Sequence, residues 1–331
     1  WVDYNKDGWI DLIVSGRNNE DVPSTTIYQN QDGQNFVESI DELALPNLYK
    51  TSMDSADFDN DGDIDFVING QTAEGEWKKY IYYRDDLSLV LATNPSDNPN
   101  QFSEDGLDGI IQIADIHNDG DQDIIGVGQG FSKVNTLIDS YNGNWNNWDS
   151  WHQNFGNLND PSMTVYGGKM YFMGEQDLQY KFSEVMLNSN YGYANQLYDI
   201  QGLADGDIDV ADYNNDGFPD LLIVGDSDSN VETTLLYDGS PNNTPTAGSF
   251  NLNEEISFTG FRDATAKWID YDNDGDLDLF LSGYSQNGTA THLYRNNLLN
   301  KGNNAPDIIT NKTFEDLGNG RVRLSWDAPN D

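Results

Sequence analysis

The sequence predicts an all-β chain assembled from repeated four-stranded units. Three observations predict it. An Asp/Gly motif recurs along the chain; short apolar and aromatic runs of strand length alternate with Gly, Asn and Asp; and a strongly acidic composition still carries 12% aromatic residues, enough to build a core.

The motif organises everything else. Five segments align without a gap: Asp3–Gly16 (DYNKDGWIDLIVSG), Asp57–Gly70 (DFDNDGDIDFVING), Asp115–Gly128 (DIHNDGDQDIIGVG), Asp212–Gly225 (DYNNDGFPDLLIVG) and Asp270–Gly283 (DYDNDGDLDLFLSG). Each opens on Asp, carries Asp-Gly at the fifth and sixth places and Asp at the ninth, and closes on Gly. Successive starts lie 54, 58, 97 and 58 residues apart. The interval of 97 is close to two repeats, so a sixth copy is expected near residue 165. Met163–Gly174 (MTVYGGKMYFMG) fits it, with Gly167-Gly168 as a two-residue hairpin in place of the acidic loop.

Each repeat reads as four strands. An alternating segment precedes the loop, as in Asp207–Ala211 or Ala264–Ile269, and an apolar run such as Leu221–Val224 follows it. A third strand centres on an aromatic residue (Tyr28, Tyr82, Tyr237, Tyr294), and a weaker fourth is seen at Asn35–Ser39. Period-two alternation and β-branched enrichment favour strands over helices. Four-stranded units repeated this often describe the blades of a β-propeller; a solenoid of stacked sheets is the alternative. The first repeat has almost no strand before Asp3, and the last has no obvious fourth strand after Tyr294. Six repeats are visible, and seven blades are expected in the intact domain, which is read as residues 1–303 with an incomplete N-terminus. Residues 304–331 break the pattern. Ala305–Asp331 resembles the opening two strands of a fibronectin type III-like sandwich, with Trp326 where such domains bury a tryptophan.

Composition limits the partners. A formal charge of −41, from 57 acidic and 16 basic residues, argues against nucleic acid and against anionic membrane surfaces. The absence of cysteine excludes disulfides and thiolate metal sites, and in a large extracellular protein it points to bacteria. No apolar run approaches the roughly 20 residues that span a bilayer. Trp1 stands inside a repeat, so the segment is expected to be cut from a longer chain.

The loops follow D-x-[D/N]-x-D-G-x-x-D. Oxygens at the first, third, fifth and ninth places can converge because a tight turn at Gly wraps the backbone around one point, and the seventh residue can add its carbonyl. Six to eight hard oxygens in flexible geometry suit calcium better than magnesium. Without a cation, carboxylates held this close repel one another. The loop, the apolar strand ending in Gly and the later Leu-Tyr strand resemble the FG-GAP/VCBS repeat of integrin α-chain propellers and bacterial surface proteins, over roughly residues 1 to 300. The resemblance implies about five calcium ions. The first would be held by Asp3, Asn5, Asp7 and Asp11 with the Trp9 carbonyl; the second by Asp57, Asp59, Asp61 and Asp65 with the Asp63 carbonyl. The fourth would use Asp212, Asn214, Asp216 and Asp220 with Phe218, and the fifth Asp270, Asp272, Asp274 and Asp278 with Asp276. The third departs from the pattern: Asp115, Asp119, Asp121 and Asp123 are present, but His117 occupies the third place, and this site is expected to lose its ion first. The repeat around Gly167 should hold none.

Calcium is expected to be mainly structural. No nucleophile or metal-hydrolase motif surrounds His117, His152 or His292, so no catalytic residue is named. Trp145, Trp148 and Trp151 lie among Asn and Asp in a stretch that could stack against sugars, although packing between sheets is favoured. Asp54, Gln112, Asp209 and Lys267 stand three residues before their loops and are expected to line a wet central channel, with a ligand site at its mouth as the alternative. The reading is a non-catalytic, calcium-stabilised adhesion or binding module of a secreted or cell-surface protein. Its partners would be a glycan or protein ligand and other domains of the same chain, without nucleic acid or membrane insertion. A carbohydrate-active enzyme of polysaccharide lyase type, or its accessory domain, and a structural spacer are the alternatives.

Overall fold

The computed structural model of the chain describes residues 1–18, 20–39, 45–58, 61–85, 88–91, 106, 108–115, 122–129, 136–141, 144–148, 159–166, 169–176, 179–186, 195–196, 200–240, 250–297, 310–318 and 321–327. Every helix or strand among them is a β-strand. The first repeat forms β1 (Leu12–Arg17), β2 (Pro23–Gln31) and β3 (Asn35–Glu38). The second forms β4 (Tyr49–Ala56), β5 (Asp65–Gln71), β6 (Trp77–Asp85) and β7 (Ser88–Leu91). The third forms β8 (Asp108–Ala114), β9 (Asp123–Gln129), β10 (Thr136–Tyr141) and β11 (Asn144–Trp148), and the fourth β12 (Asn159–Tyr166), β13 (Lys169–Gln176), β14 (Gln179–Met186) and β15 (Asn195–Gln196). The fifth forms β16 (Ala204–Ala211), β17 (Asp220–Asp226), β18 (Glu232–Gly239) and β19 (Phe250–Leu252); the sixth β20 (Arg262–Ile269), β21 (Asp278–Ser285) and β22 (Gly288–Tyr294). In each repeat the strands lie side by side in chain order, all antiparallel. β23 (Thr310–Gly318) and β24 (Arg321–Asp327) pair as a two-stranded antiparallel sheet.

The acidic loop joins the first two strands of a repeat at one fixed register. The residue before the loop pairs with the ninth-place Asp in Ala56↔Asp65, Ala114↔Asp123, Ala211↔Asp220 and Ile269↔Asp278, and the Val2↔Asp11 bridge repeats it in the first sheet. In the fourth repeat Tyr166 pairs directly with Lys169, while Gly167 and Gly168, where the hairpin was expected, lie outside the described residues.

The second strands β5 and β17 have central apolar runs because neighbouring sheets cover both their faces. Leu221 and Ile223 pack with Tyr171, Met173 and Phe182 of the fourth sheet, while Leu222 and Val224 pack with Phe261, Leu279 and Leu281 of the sixth. Phe66 and Ile68 likewise meet Ile27 of the first sheet, and Val67 meets Ile111 and Ile124 of the third. Burying each such side chain stabilises the fold by about 1.5–3 kcal/mol.

Neighbouring sheets touch through their first strands: β4 against β8, β8 against β12, β12 against β16, β16 against β20. β1 touches β4. The cycle returns to its start, because Trp1 packs edge-on against Phe280 at 5.2 Å and the Asn30 amide donates to the Tyr271 carbonyl at 2.9 Å. Sheets in such a cycle, joined along the first strands β4, β8, β12, β16 and β20, form a β-propeller. The described sheets in it number six, against seven blades expected from the sequence.

Candidate metal centre

Among the described residues four acidic loops share one geometry. The first Asp folds its loop by accepting two backbone amides: Asp3 from Asp7 and Gly8 (3.1 and 2.9 Å), Asp57 from Asp61 and Gly62 (3.0 and 3.0 Å), Asp212 from Asp216 and Gly217 (3.0 and 2.8 Å), and Asp270 from Asp274 and Gly275 (3.0 and 3.0 Å). The fifth-place Asp accepts the amide two residues on, from Trp9, Asp63, Phe218 and Asp276 in turn, at 2.8–3.0 Å. The turn demands glycine at the sixth place, where φ is +88° to +91° in Gly8, Gly62, Gly217 and Gly275. Lys6, Asn215 and Asn273 at the fourth place also lie in the left-handed region, near +57° to +60° or just below.

The ninth-place Asp behaves differently. Asp11, Asp65, Asp123, Asp220 and Asp278 are each fully buried. One oxygen takes a backbone amide at the end of the third strand: Asn30 to Asp11 (2.8 Å), Arg84 to Asp65 (2.8 Å), Gly239 to Asp220 (2.7 Å) and Asn296 to Asp278 (2.7 Å). In three loops the other oxygen takes the second-place amide, from Tyr4, Phe58 and Tyr213. Burial pushes these carboxyls up, Asp11 and Asp278 to about 6 and Asp220 to about 7. The amides pull the other way, and neighbouring loop carboxylates add to the rise.

The residues fit a divalent cation best in the fifth loop. Carboxylate oxygens of Asp270, Asp272 and Asp278 lie within 4.8 Å of one another, and Asp272 Oδ1 and Asp278 Oδ2 are buried without a hydrogen bond. Carboxylates held this close repel one another unless a positive charge lies nearby. Arg295 supplies one from outside, 2.9 Å from Asp272 and 2.8 Å from Asp274. In the first loop Lys6 pairs with Asp63 of the second, so adjacent loops are linked across the sheets.

Asp59, His117, Asp119, Asp121 and Trp151 lie outside the described residues, so the third loop is represented by Asp115 and Asp123. Trp145 and Trp148 fall on β11, at the edge of the third sheet.

The residues expected along the channel come together as a belt between first strands. Asp54 accepts the Ile113 amide of the next sheet at 2.8 Å, and Asp209 accepts that of Trp268 at 2.8 Å. Gln112 donates to Thr164 at 3.5 Å, Thr164 to Asp209 at 3.5 Å, and the Lys267 ammonium stands 3.8 Å from Asp207 and 3.9 Å from Asp209. Sequence reading missed Asp207, which accepts the Ala266 amide and the Ser162 and Thr265 hydroxyls. It also missed Asn30 and Asn296, whose amides each join two carbonyls on adjacent sheets. Their recurrence two residues after Tyr28 and Tyr294 was the available signal.

Residues 3–68 and 212–281 match the model of the FG-GAP-like repeat family, so these two segments are similar to FG-GAP-like repeats. No curated protein sequence matches the chain. Solved structures similar to it include an endo-arabinase from Bacteroides thetaiotaomicron (TM-score 0.40, 10% identity, 70% of this chain and 89% of that one). A thermostable family-43 glycoside hydrolase is similar at TM-score 0.38 and 10% identity, over 74% of this chain and 87% of that one. The subtype N11 neuraminidase-like protein of A/flat-faced bat/Peru/033/2010 is similar at TM-score 0.40 and 12% identity, over 86% and 78%. Likeness at this level carries no functional argument.

Proposed function

We propose that the chain is a calcium-stabilised, six-bladed β-propeller serving as a non-catalytic binding module, for a glycan or protein ligand, in a secreted or cell-surface protein. The observation that carries the calcium reading is the loop geometry. Loops from separate sheets hold Asp at the first, fifth and ninth places in one conformation, and in the fifth loop the Asp270, Asp272 and Asp278 carboxylates converge within 4.8 Å of one another. A cation at such a loop takes the first-, third- and fifth-place oxygens, the seventh-place carbonyl and the open lone pairs of the ninth-place Asp. Each ion bound at about a hundred times its dissociation constant stabilises the fold by about 2.7 kcal/mol. Five divalent ions leave the formal charge near about −31, so the surface stays acidic. The contact of the first sheet with the sixth supports six blades as the closed ring, and the C-terminal hairpin is read as the start of a fibronectin type III-like domain.

Isothermal titration of chelator-treated protein tests the metal, with about five ions per chain expected for calcium and far weaker binding for magnesium. A chain that takes up no calcium and melts identically with and without chelator sinks the proposal. A glycan array probed in calcium and in chelator then tests the binding role.

A carbohydrate-degrading activity is the second reading. Burial raises the Asp54 and Asp209 carboxyls in the central belt, beside the Lys267 ammonium. Release of reducing ends from a polysaccharide panel, abolished by Asp209→Asn, would favour it; a blank panel removes it.

A further inference from the structure

Asn30 and Asn296 make the same three bonds in two different sheets. The Asn30 backbone amide donates to Asp11 at 2.8 Å, and its side-chain Nδ2 donates to the Ile10 carbonyl at 3.1 Å and the Tyr271 carbonyl at 2.9 Å. Asn296 repeats this with Asp278 (2.7 Å), Leu277 (3.1 Å) and Tyr213 (2.9 Å). Asn30 is 2% exposed, and its Oδ1 accepts the Gly33 amide at 3.0 Å. Both ends of that side-chain amide are therefore engaged, which leaves it one orientation.

The carbonyls so held share a feature. A carbonyl and the nitrogen of the next residue lie in one planar peptide unit. Ile10 immediately precedes Asp11, ninth in the first loop, and Tyr271 immediately precedes Asp272, third in the fifth loop. Asn30 thus fixes the peptide leading into an oxygen-bearing residue in each of two loops on adjacent sheets. Asn296 does the same for Asp278 of the fifth loop and Asn214 of the fourth. The fifth loop is held by both asparagines, and it is the loop in which the Asp270, Asp272 and Asp278 carboxylates converge.

The residue type at this place follows the loops. Two residues beyond the third-strand partner of the tenth loop place stand Asn30, Arg84, Ser140, Gly239 and Asn296, in sheets one, two, three, five and six. The four with a side-chain donor each come, around the cycle, after a sheet whose repeat carries an acidic loop. Glycine comes after the fourth repeat, whose sequence has no such loop, and a Cβ there would lie 2.3 Å from the Pro219 carbonyl oxygen.

We infer that Asn30 and Asn296 are positioning residues shared between calcium loops. Each aims one ligand in the loop of its own sheet and one in the loop of the preceding sheet, without touching the ion. The inference rests on the calcium reading of the loops, and it makes the fourth, fifth and first loops a series held by common struts instead of separate sites.

Each loop carries its own reporter for the test, the sixth-place glycine amide that donates to the first Asp: Gly8, Gly62, Gly217 and Gly275, at 2.8–3.0 Å. Protein with isotope-labelled glycine is freed of metal and titrated with calcium by NMR, and the midpoint of each glycine signal is read separately. Asn30→Ala should move the Gly8 and Gly275 midpoints to at least about tenfold more calcium, with Gly62 and Gly217 unmoved. Asn296→Ala should move Gly275 and Gly217 and leave Gly8 and Gly62; this variant decides the matter if Asn30→Ala does not fold. A general loss of stability would move all four signals alike. A uniform shift, a shift confined to the residue's own loop, or no shift overturns the shared strut. Parent glycine signals that ignore calcium remove the calcium reading, and this inference with it.

Discussion

Replacing Asp220 by Ala separates the two tasks that a loop Asp can have. Its carboxylate holds the Gly239 amide at 2.7 Å and the Tyr213 amide at 3.2 Å, in a place with no solvent access. Each buried amide left without an acceptor costs about 1–3 kcal/mol, so the substitution should remove about 2–6 kcal/mol. That is a large share of the roughly 5–15 kcal/mol that holds an ordinary domain together. Asp216→Ala is the control. Its carboxylate accepts the Phe218 amide at 2.9 Å in an exposed setting where water can take over, so without metal the loss should stay within about 0.5 kcal/mol. Urea unfolding of the parent and both variants, in chelator and in millimolar calcium, gives the four differences needed. In chelator only Asp220→Ala should fall; in calcium Asp216→Ala should also lose part of the metal-induced gain. A chelator-state Asp220→Ala protein as stable as the parent refutes the structural role of the ninth place. A full calcium gain in Asp216→Ala refutes the fifth place as a ligand.

In chelator, stability should decline as pH rises from about 4 to about 7. The folded chain keeps protons on Asp11, Asp278 and Asp220 (raised to about 6, 6 and 7) that the unfolded chain has already released above 3.8. Melting temperatures that climb over that window would contradict this, and calcium should flatten or reverse the slope. Asn30→Ala removes an amide that joins the Ile10 carbonyl to Tyr271 of the sixth sheet and should cost about 1–3 kcal/mol in urea unfolding. Leu222→Ala opens a cavity between the fifth and sixth sheets and should cost about 2–5 kcal/mol by the same assay. His117→Asp should raise the calcium affinity of the third loop, read as a tighter step in titration; an unchanged isotherm would detach His117 from the metal.

Much of the fold is legible because local chemistry repeats. Asp-Gly at the fifth and sixth places marks a turn only glycine adopts, and the apolar run after it is continuous because adjacent sheets cover both faces, as Leu221 and Leu222 show by packing in opposite directions. The close pairing of Tyr166 with Lys169 was readable from the two residues that separate them in the sequence. What could not be read is how one sheet meets the next. Asp54 and Ile113, or Asp209 and Trp268, join a side chain to a backbone amide 59 residues away, and no residue pattern encodes an amide. The contact of the first sheet with the sixth is of the same kind, from Asn30 to the Tyr271 carbonyl, and the sequence, which led to an expectation of seven blades, held no sign of it. The ninth-place Asp was assigned to metal by its spacing alone; burial and its two amide bonds were invisible.

The division of labour inside a loop accounts for which places vary among the five copies. The first Asp closes the turn on two amides and the ninth ties the loop to the third strand, so either loss breaks the fold with or without an ion. The fifth Asp anchors the amide two residues on, and the glycine after it holds a conformation closed to other residues. The third place carries the lightest backbone duty. Asn5 and Asn214 share the fifth-place amide with the first Asp, and Asp272 keeps Oδ1 free of hydrogen bonds. Of the first, third, fifth and ninth places it is the one where the sequence changes, from Asn to Asp to His117. A side chain that the fold scarcely uses can be set for the ion alone, and charge at that place is the simplest lever on affinity. The five loops should therefore fill in an order set by their third residue and its neighbours, with the Asp59 loop ahead of the Asn5 and Asn214 loops and the His117 loop last. The Asp272 loop should sit lower than its charge implies, because Arg295 already occupies two of its carboxylates. Arg295→Gln should then tighten that loop's calcium step, while the other four steps stay where they were.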